Sequence, residues 1–320
     1  MKEWKEEAMR LWAETDLSQR EIARKLGKPK STVNDFFRST TAKVKETPPS
    51  IGIYTIRTKK HSSDNCTHLM IPDTQCKPGV DMNYLRWVGE YIVEKRPDVI
   101  VHIGDHADMP SLSSYDKGKR AAEGKRVQDD IEASIMGMNI LLRPLYHLQR
   151  QQEEAGVEVY KPRMVFTLGN HEERIMRHVN ANPELHGFLS YDNLLLKEMG
   201  WEVYDFLQPA IINGITYCHF MANPMSGKPW GGTAQNILRH VGESFSMGHK
   251  QTLDVATRFL PASGKQQWAI IAGACYTHDE EYKGYQGNHH WRGVVVKHNV
   301  VDGSFNPMFV SLDYLGDRYD

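Results

Sequence analysis

Five short stretches of the sequence carry the side chains that bind divalent cations. They are Asp73-Thr74-Gln75, Gly104-Asp105-His106-Ala107-Asp108, Gly169-Asn170-His171-Glu172, His219 and Gly248-His249-Lys250-Gln251. Carboxylate, amide and imidazole groups of this kind hold a pair of cations when one carboxylate bridges them. Each stretch alone is a weak signal, because an isolated internal histidine is more often a hydrogen-bonded core residue. Their order along the chain makes a two-metal site the stronger interpretation.

A site of this kind requires elements that bring the stretches together. Short apolar segments at 67–72, 98–103 and 163–168 predict strands that end just before Asp73, Gly104 and Gly169. Open α/β sheets place their sites at such carboxyl ends. A helical pattern predicts a helix at 82–95. Apolar segments on either side of Asn213-Gly214 and Asp302-Gly303 predict hairpins at 210–219 and 293–314. The sequence predicts an α/β fold in which two packed mixed β-sheets are flanked by helices.

In order and spacing, these motifs resemble the calcineurin-like metallophosphoesterase superfamily across about residues 67–320. The resemblance implies a four-layer sandwich in which Asp105 bridges two cations and Asp73 binds the first. It assigns three residues to the second cation: Asn170, His219 and His249. It also implies that His171, oriented by Asp108, protonates the leaving alkoxide or steadies the phosphoryl oxygens. A water between the cations would supply the hydroxide nucleophile.

Two positions depart from the superfamily pattern, since Gln75 and Gln251 stand where it has histidine. The resemblance assigns both to the first cation, whose ligands would then all be oxygens: Asp73, Gln75, Asp105 and Gln251. Oxygen donors favour hard cations such as Mn²⁺ or Mg²⁺ over Zn²⁺. The sequence therefore predicts two divalent cations, of which the first is the weaker and more exchangeable, with Mn²⁺ preferred and Mg²⁺, Fe or Zn²⁺ as alternatives. A contrary interpretation is that Gln251 points away and the first site is empty.

Further residues near the motifs are candidates for substrate binding. Arg174 follows the third motif, and the Gly- and Pro-rich segment 222–233 contains Lys228 and Trp230. That segment is either a lid that brings both side chains over a phosphate or a base, or a structural loop. The insertion 109–161 begins with a basic run, 117–126, which is either a rim of the cleft or ordinary surface.

The overall charge conceals a basic N-terminal segment. The formal net charge of the 320 residues is −1, but residues 1–45 hold 11 Lys/Arg against 7 Asp/Glu. Residues 1–42 resemble a helix-turn-helix motif, with helical patterns at 4–14, 19–26 and 32–38. The resemblance depends on Ile22, Ala23, Leu26, Gly27, Val33 and Phe36.

The second helix of such a motif enters the major groove of DNA. The candidate DNA contacts are Lys28, Lys30, Ser31, Thr32, Asn34 and Arg38. A protein-docking module is the alternative. The predicted organisation is a helix-turn-helix domain at 1–43, a linker at 44–66 and a phosphoesterase domain at 67–320.

The predicted function is that of a metal-dependent phosphodiesterase or nuclease, tethered to DNA or another nucleic acid by its N-terminal domain. One alternative is a phosphomonoesterase or nucleotide pyrophosphatase whose N-terminal domain only determines where the enzyme is located. Another is a DNA-binding regulator without catalysis. The motifs leave the choice of ester open, because one metal core serves many substrates.

Composition sets the remaining expectations. The chain is 40% hydrophobic and 25% charged, which excludes a disordered, collagenous or coiled-coil protein. Four separated cysteines without a CxxC pair, no signal-peptide pattern and no long apolar run predict a cytoplasmic protein without a membrane partner. The sequence predicts no particular oligomeric state.

Overall fold

The computed structural model describes residues 4, 5, 7, 8, 11, 19–33, 35, 66–280 and 283–320. The chain divides into two compact units, residues 1–60 and residues 61–320. Asn34, Phe36 and Arg38 lie outside the described residues, as does most of the predicted linker.

The first unit contains helix α1 (Gln19–Lys25), which matches the helix predicted at 19–26. Ala8, Leu11, Ile22, Ala23 and Val33 form its small apolar cluster, with Trp4 and Leu26 packed against them. After α1 the chain turns at Gly27, whose φ is +60°. The next helical stretch begins at Lys30, two residues earlier than predicted, so Ser31 lies inside it. The exposed residues here include Lys28, Lys30, Ser31 and Thr32.

Within residues 66–280 and 283–320, the second unit has eleven strands and six α-helices. The strands are β1 (His68–Ile71), β2 (Val99–His102), β3 (Arg163–Thr167), β4 (Glu202–Tyr204), β5 (Ala210–Ile212), β6 (Ile215–Tyr217), β7 (Phe245–Met247), β8 (Leu253–Leu260), β9 (Lys265–Ala272), β10 (Gly293–Val301) and β11 (Ser304–Ser311). The helices are α2 (Asn83–Lys95), α3 (Val127–Glu154), α4 (Glu173–Ala181), α5 (Ala234–Val241), α6 (Gly284–Gly287) and α7 (Leu312–Tyr319).

The strands form two mixed sheets. The first has the order β11-β10-β1-β2-β3-β4. Strands β1 to β4 are parallel to one another, and β10 is antiparallel to both of its neighbours, β1 and β11. The second has the order β5-β6-β7-β9-β8, with β6, β7 and β9 parallel. Strand β11 begins at Ser304 rather than at the predicted 307, so Pro307 lies inside it. Pro307 is tolerated there because β11 is an edge strand.

The two sheets pack face to face around an apolar core. Met70, Val101 and Val165 of the first sheet share one buried cluster with Tyr217 and Ile270 of the second. Every residue of β1 and β2 is buried, as expected for parallel strands covered on both faces.

Helices cover the outer faces of the sheets. Helix α2 packs against α3 and α7, and Gly89 permits the close approach, because a side chain there would overlap the carbonyl oxygen of Leu141. Helix α5 begins after the predicted cap Thr233, whose hydroxyl accepts from the Asn236 amide, and it packs on the second sheet through Ile237 and Leu238. This arrangement confirms the predicted fold class at the level of two mixed sheets flanked by helices.

One lysine lies inside the core between the sheets. Lys297 of β10 is fully buried, and its Nζ donates to Ser246 Oγ (2.8 Å) and Tyr217 Oη (3.0 Å). No carboxylate within residues 66–280 or 283–320 lies at ion-pair distance from it. Burial therefore lowers the pKa of Lys297 well below its ordinary value.

No helix among the described residues combines the length and apolar character needed to cross a bilayer.

Candidate metal centre

The loops that follow the parallel strands carry the predicted metal ligands. Asp73, Asp105 and Asn170 follow β1, β2 and β3, whereas His219 and His249 follow β6 and β7 of the second sheet. Several ligand positions have a left-handed backbone that side chains rarely adopt, namely Gln75 (φ 44°), Asp105 (51°), His249 (67°) and Gln251 (56°). Each such residue costs about 1–3 kcal/mol, and conformations of this kind cluster at functional sites.

Four residues predicted for the second cation converge. The ligand atoms of Asp105, His219 and His249 all lie within 4.8 Å of one another. Asn170 Oδ1 lies 2.9 Å from His219 Nε2 and 2.7 Å from His249 Nδ1. His219 Nδ1 donates to the carbonyl oxygen of Ile103 at 2.8 Å, so Nε2 faces the cluster. A hydrogen bond from one ring nitrogen to a carbonyl oxygen orients the other ring nitrogen for metal binding.

The acid–base properties of the two imidazoles differ. Burial disfavours the charged form of His219, but the carboxylates of Asp105 and Asp73 outweigh it and raise its pKa to about 9. Burial and the neighbouring His219 lower the pKa of His249 to about 4.

Two glycines let the backbone approach the carboxylates. A Cβ atom at Gly169 would overlap Asp105 Oδ1, and one at Gly248 would overlap Asp73 Oδ1. Backbone amides donate to the same groups, from His171 to Asp105 Oδ1 (2.9 Å) and from His249 to Asp73 (3.2 Å). Only a residue without a side chain permits this packing at either position.

Glu172 holds two of the site loops together. Its buried carboxylate accepts from the backbone amides of Asp105 (2.9 Å), Gly169 (2.7 Å) and Ala107 (2.8 Å). Glu172 lies inside the third motif, but its residue type and position predict no role for it. Burial raises the pKa of Glu172.

The residues predicted for the first cation fit it only in part. Asp73 and Gln75 are fully buried, and neither polar side-chain atom of Gln75 has a hydrogen-bond partner in the described part of the chain. Burial raises the pKa of Asp73 to about 6, so an adjacent cation would be favourable. Gln251 Oε1, by contrast, already accepts from the Tyr276 hydroxyl (2.9 Å) and from the Lys283 ammonium.

His171 lies beside the cluster without joining it. Its Nδ1 is 2.8 Å from Asp108 Oδ1, and its Nε2 is 3.7 Å from Asp105 Oδ2. Arg174 is in contact with both, since Nη1 donates to the Asp108 carbonyl oxygen (2.8 Å) and Nη2 lies 3.0 Å from His171 Nε2. Burial opposes the imidazolium, but Asp105 and Asp108 outweigh it and raise the pKa of His171.

Asp108 also belongs to a charged network with Lys77, Glu280 and His278 that local sequence patterns do not predict. Lys77 Nζ lies 3.5 Å from Asp108 Oδ2 and 2.6 Å from Glu280 Oε1. His278 Nε2 is 3.0 Å from the same Glu280 oxygen. The local sequence gives no sign of these contacts, because Lys77 and Glu280 are 203 positions apart.

The segment 222–233 packs as a loop on the second sheet. The Trp230 ring stacks on the His240 ring of α5 at 4.0 Å and contacts the apolar cluster beneath that helix. Lys228 is exposed, and its backbone carbonyl accepts from the Asn223 amide at 2.8 Å. This packing favours the structural-loop interpretation over a lid. Within the basic run, Lys117, Lys119 and Arg120 are exposed, and Lys125 pairs with Asp116 at 3.0 Å.

Comparisons with known proteins give two relatives and no family. No family model matches the chain. The Gene 54 protein of Mycobacterium phage L5 is 29% identical over 215 residues, which cover 64% of this chain and 77% of that protein. The Gene 54 protein of Mycobacterium phage D29 is 27% identical over 213 residues, with the same coverage. Neither name states an activity.

A solved crystal structure aligns with 77% of this chain and with all of its own chain, at 12% identity. Its TM-score of 0.29 is too low to support an argument about the fold.

Proposed function

We propose that the chain is a metal-dependent phosphoric ester hydrolase, and specifically a phosphodiesterase or nuclease that acts on nucleic acid. One observation carries the proposal: Asp105, His219 and His249 form a ligand cluster directly beside the His171–Asp108 pair. Ligands for a cation beside an oriented acid are what cleavage of a phosphate ester requires.

The donor set indicates which cations would bind. Asp105, Asn170, His219 and His249 would hold the second cation, and Asp73, Gln75, Asp105 and Gln251 the first. This oxygen-rich set favours Mn²⁺, with Mg²⁺, Fe and Zn²⁺ as alternatives. When bound, the cations would supply Lewis-acid activation of a water and neutralisation of phosphate charge.

The residues around the cluster would do the rest. His171 Nδ1 contacts Asp108, so Nε2, which lies 3.0 Å from Arg174 Nη2, would carry the proton for the leaving group once Arg174 turns to a substrate. The raised pKa of His171 favours the protonated form that a leaving alkoxide needs. Arg174 keeps its Nη1 on the Asp108 carbonyl oxygen, so its Nη2 can bind a phosphate oxygen once a substrate enters.

Nucleic acid is the preferred substrate because of the N-terminal unit. Residues 1–45 carry a net charge of +4 while the rest of the chain carries −5, and Lys28, Lys30, Ser31 and Thr32 are exposed. We propose a helix-turn-helix domain here, joined to a four-layer metallophosphoesterase sandwich. A linked DNA-binding unit raises the local concentration of the ester.

Cleavage assays with Mn²⁺ test this function. The full-length protein would be compared on single-stranded DNA, double-stranded DNA, a small phosphodiester and a small phosphomonoester. We expect hydrolysis of DNA and of the small diester, both lost in His249→Ala. A Lys28→Ala/Lys30→Ala variant should keep the small-diester activity and lose DNA cleavage.

Other outcomes favour the alternatives. Preference for the monoester would contradict the nuclease proposal and support a phosphomonoesterase. DNA binding with metal bound but no hydrolysis of any ester would support a non-catalytic regulator.

A further inference from the structure

A lysine that no motif predicts lies on the first-cation side of the centre. Lys283 precedes α6, and its ammonium donates to Gln251 Oε1 and, at 2.9 Å, to Tyr276 Oη. The Tyr276 hydroxyl in turn donates to Gln251 Oε1 at 2.9 Å. Gln251 is one of the residues assigned to the first cation, so an internal positive charge lies on a predicted ligand atom.

The contacts of Gln251 oppose simultaneous metal binding. A carbonyl oxygen has two lone pairs, and both are used here, one by Tyr276 and one by Lys283. A divalent cation can bind this oxygen only after one donor leaves. Lys283 is the charged donor, so a cation that approaches the oxygen also meets electrostatic repulsion.

The ammonium also interacts with the principal carboxylate of the first site. Asp73 is fully buried; burial lowers the pKa of Lys283, and the negative charge of Asp73 partly offsets that shift. An ammonium near Asp73 partly fulfils the neutralising role of a divalent cation. The replacement of histidine ligands by amides, at Gln75 and Gln251, favours the ammonium further, because amide oxygens bind transition metals more weakly than imidazoles do.

The segment that carries Lys283 is held at both ends. Asn288 accepts from the Glu280 amide (2.8 Å) and donates to the carbonyl oxygens of Glu280 and Gly284 (both 2.9 Å). Glu280 itself pairs with Lys77 at 2.6 Å, close to the His171–Asp108 pair. Asn288 therefore ties Glu280 to the first residue of α6, next to Lys283.

We propose that Lys283 serves as an internal cation at the first site, so that one divalent cation binds tightly and the other binds only by displacing Lys283. This inference rests on the proposed metal centre. The tight cation belongs to the set of Asp105, Asn170, His219 and His249, whose described contacts do not include Lys283.

Titration of the metal-free, full-length protein with Mn²⁺ tests the proposal through binding alone. Calorimetry and electron paramagnetic resonance should find one tight cation and a second that binds at least tenfold more weakly. Lys283→Met keeps most of the aliphatic stem and removes the charge, so it should strengthen the weak site at least tenfold and leave the tight site unchanged.

Lys250→Met is the matched control. The Lys250 ammonium lies beside His249 in the chain but donates to the Gly232 carbonyl oxygen and not to Gln251. Its removal should leave the ratio of the two Mn²⁺ affinities within threefold of wild type. Two equally tight cations in the wild type, or an unchanged ratio in Lys283→Met, would overturn the proposal. Absence of any Mn²⁺ binding would instead contradict the proposed function itself.

A second measurement on the wild-type protein is independent of any variant. Acylation of lysines followed by mass spectrometry should show Lys283 becoming more reactive over the Mn²⁺ range that fills the weak site. Lys283 reactivity that stays constant through that range would refute displacement even if Lys283→Met failed to fold.

Discussion

In the proposed mechanism, His171 handles a proton at Nε2, because its Nδ1 already lies 2.8 Å from Asp108 Oδ1. We expect His171→Gln to lower kcat by about 10²- to 10⁴-fold, the usual contribution of a positioned acid or base, and to leave Mn²⁺ affinity within twofold. Steady-state kinetics and metal titration measure both effects.

Asp108→Asn completes this test. The amide keeps the shape of the carboxylate but loses part of the negative charge that raises the pKa of His171, so the alkaline limb of the pH–rate profile, where the acid loses its proton, should move to lower pH. Wild-type kcat in His171→Gln would remove that residue from the proposed mechanism.

At the scale of single residues, the side chains that converge were predictable and their partners were not. Asp105, Asn170, His219 and His249 each follow a strand, so residue type and position mark them as candidate ligands. Lys283 lies 32 positions from Gln251 in a stretch without a motif. Contacts of that kind depend on how the chain folds back, which local patterns do not encode.

At the scale of loops, the glycine before His249 limits where Asp73 can lie. Gly248→Ala would push a methyl group into the Asp73 carboxylate, so we expect Mn²⁺ affinity to fall more than tenfold and stability to fall by about 1–3 kcal/mol. Gly231→Ala is the matched control, because a Cβ atom there meets nothing within 4 Å. Calorimetric titration and denaturant unfolding provide the readouts. Equal effects of the two substitutions would show that the close approach is unimportant.

Between the sheets, Lys297 links stability to pH. Its pKa is lowered in the folded protein and ordinary in the unfolded chain, so unfolding takes up a proton. Stability therefore rises with pH, by at most about 1.4 kcal/mol per unit, until the unfolded lysine also deprotonates near pH 10. Lys297→Met should be more stable than wild type at pH 7, and its advantage should shrink as the pH rises.

Urea unfolding at several pH values measures that difference. Lys265→Met, at an exposed lysine of β9, should stay within about 0.5 kcal/mol of wild type throughout. A difference between Lys297→Met and wild type that did not vary with pH would mean that Lys297 is charged in the folded protein.

The elements themselves were predictable where burial is uniform. Strands β1 and β2 and helix α2 follow from apolar runs and a helical period, and the structure has them within two residues of the predicted bounds. The β8–β9 pair was not predicted, because it mixes polar and apolar residues and is joined by Pro261-Ala262-Ser263-Gly264, without an Asn-Gly or Asp-Gly turn. These residues form strands because β9 pairs with β7 and β8; their own sequence pattern does not predict strands.

For the whole molecule, the opposite charges of the two units predict how any DNA contact responds to salt. Lys28→Ala and Lys30→Ala should each weaken binding to all DNA sequences similarly and reduce the slope of log K against log salt by about one. Fluorescence anisotropy between 50 and 200 mM salt measures the slope. An unchanged slope in both variants would mean that the N-terminal unit does not carry the DNA contact.

The candidate ligands come from both sheets, with Asp73, Asp105 and Asn170 on one and His219 and His249 on the other. The His219 hydrogen bond to Ile103 crosses the same boundary. A cation bound by residues of both sheets would have to dissociate before the sheets could separate, so its binding free energy would add to the stability of the sheet–sheet packing. By the same linkage, a substitution that loosens the apolar core between the sheets would weaken cation binding.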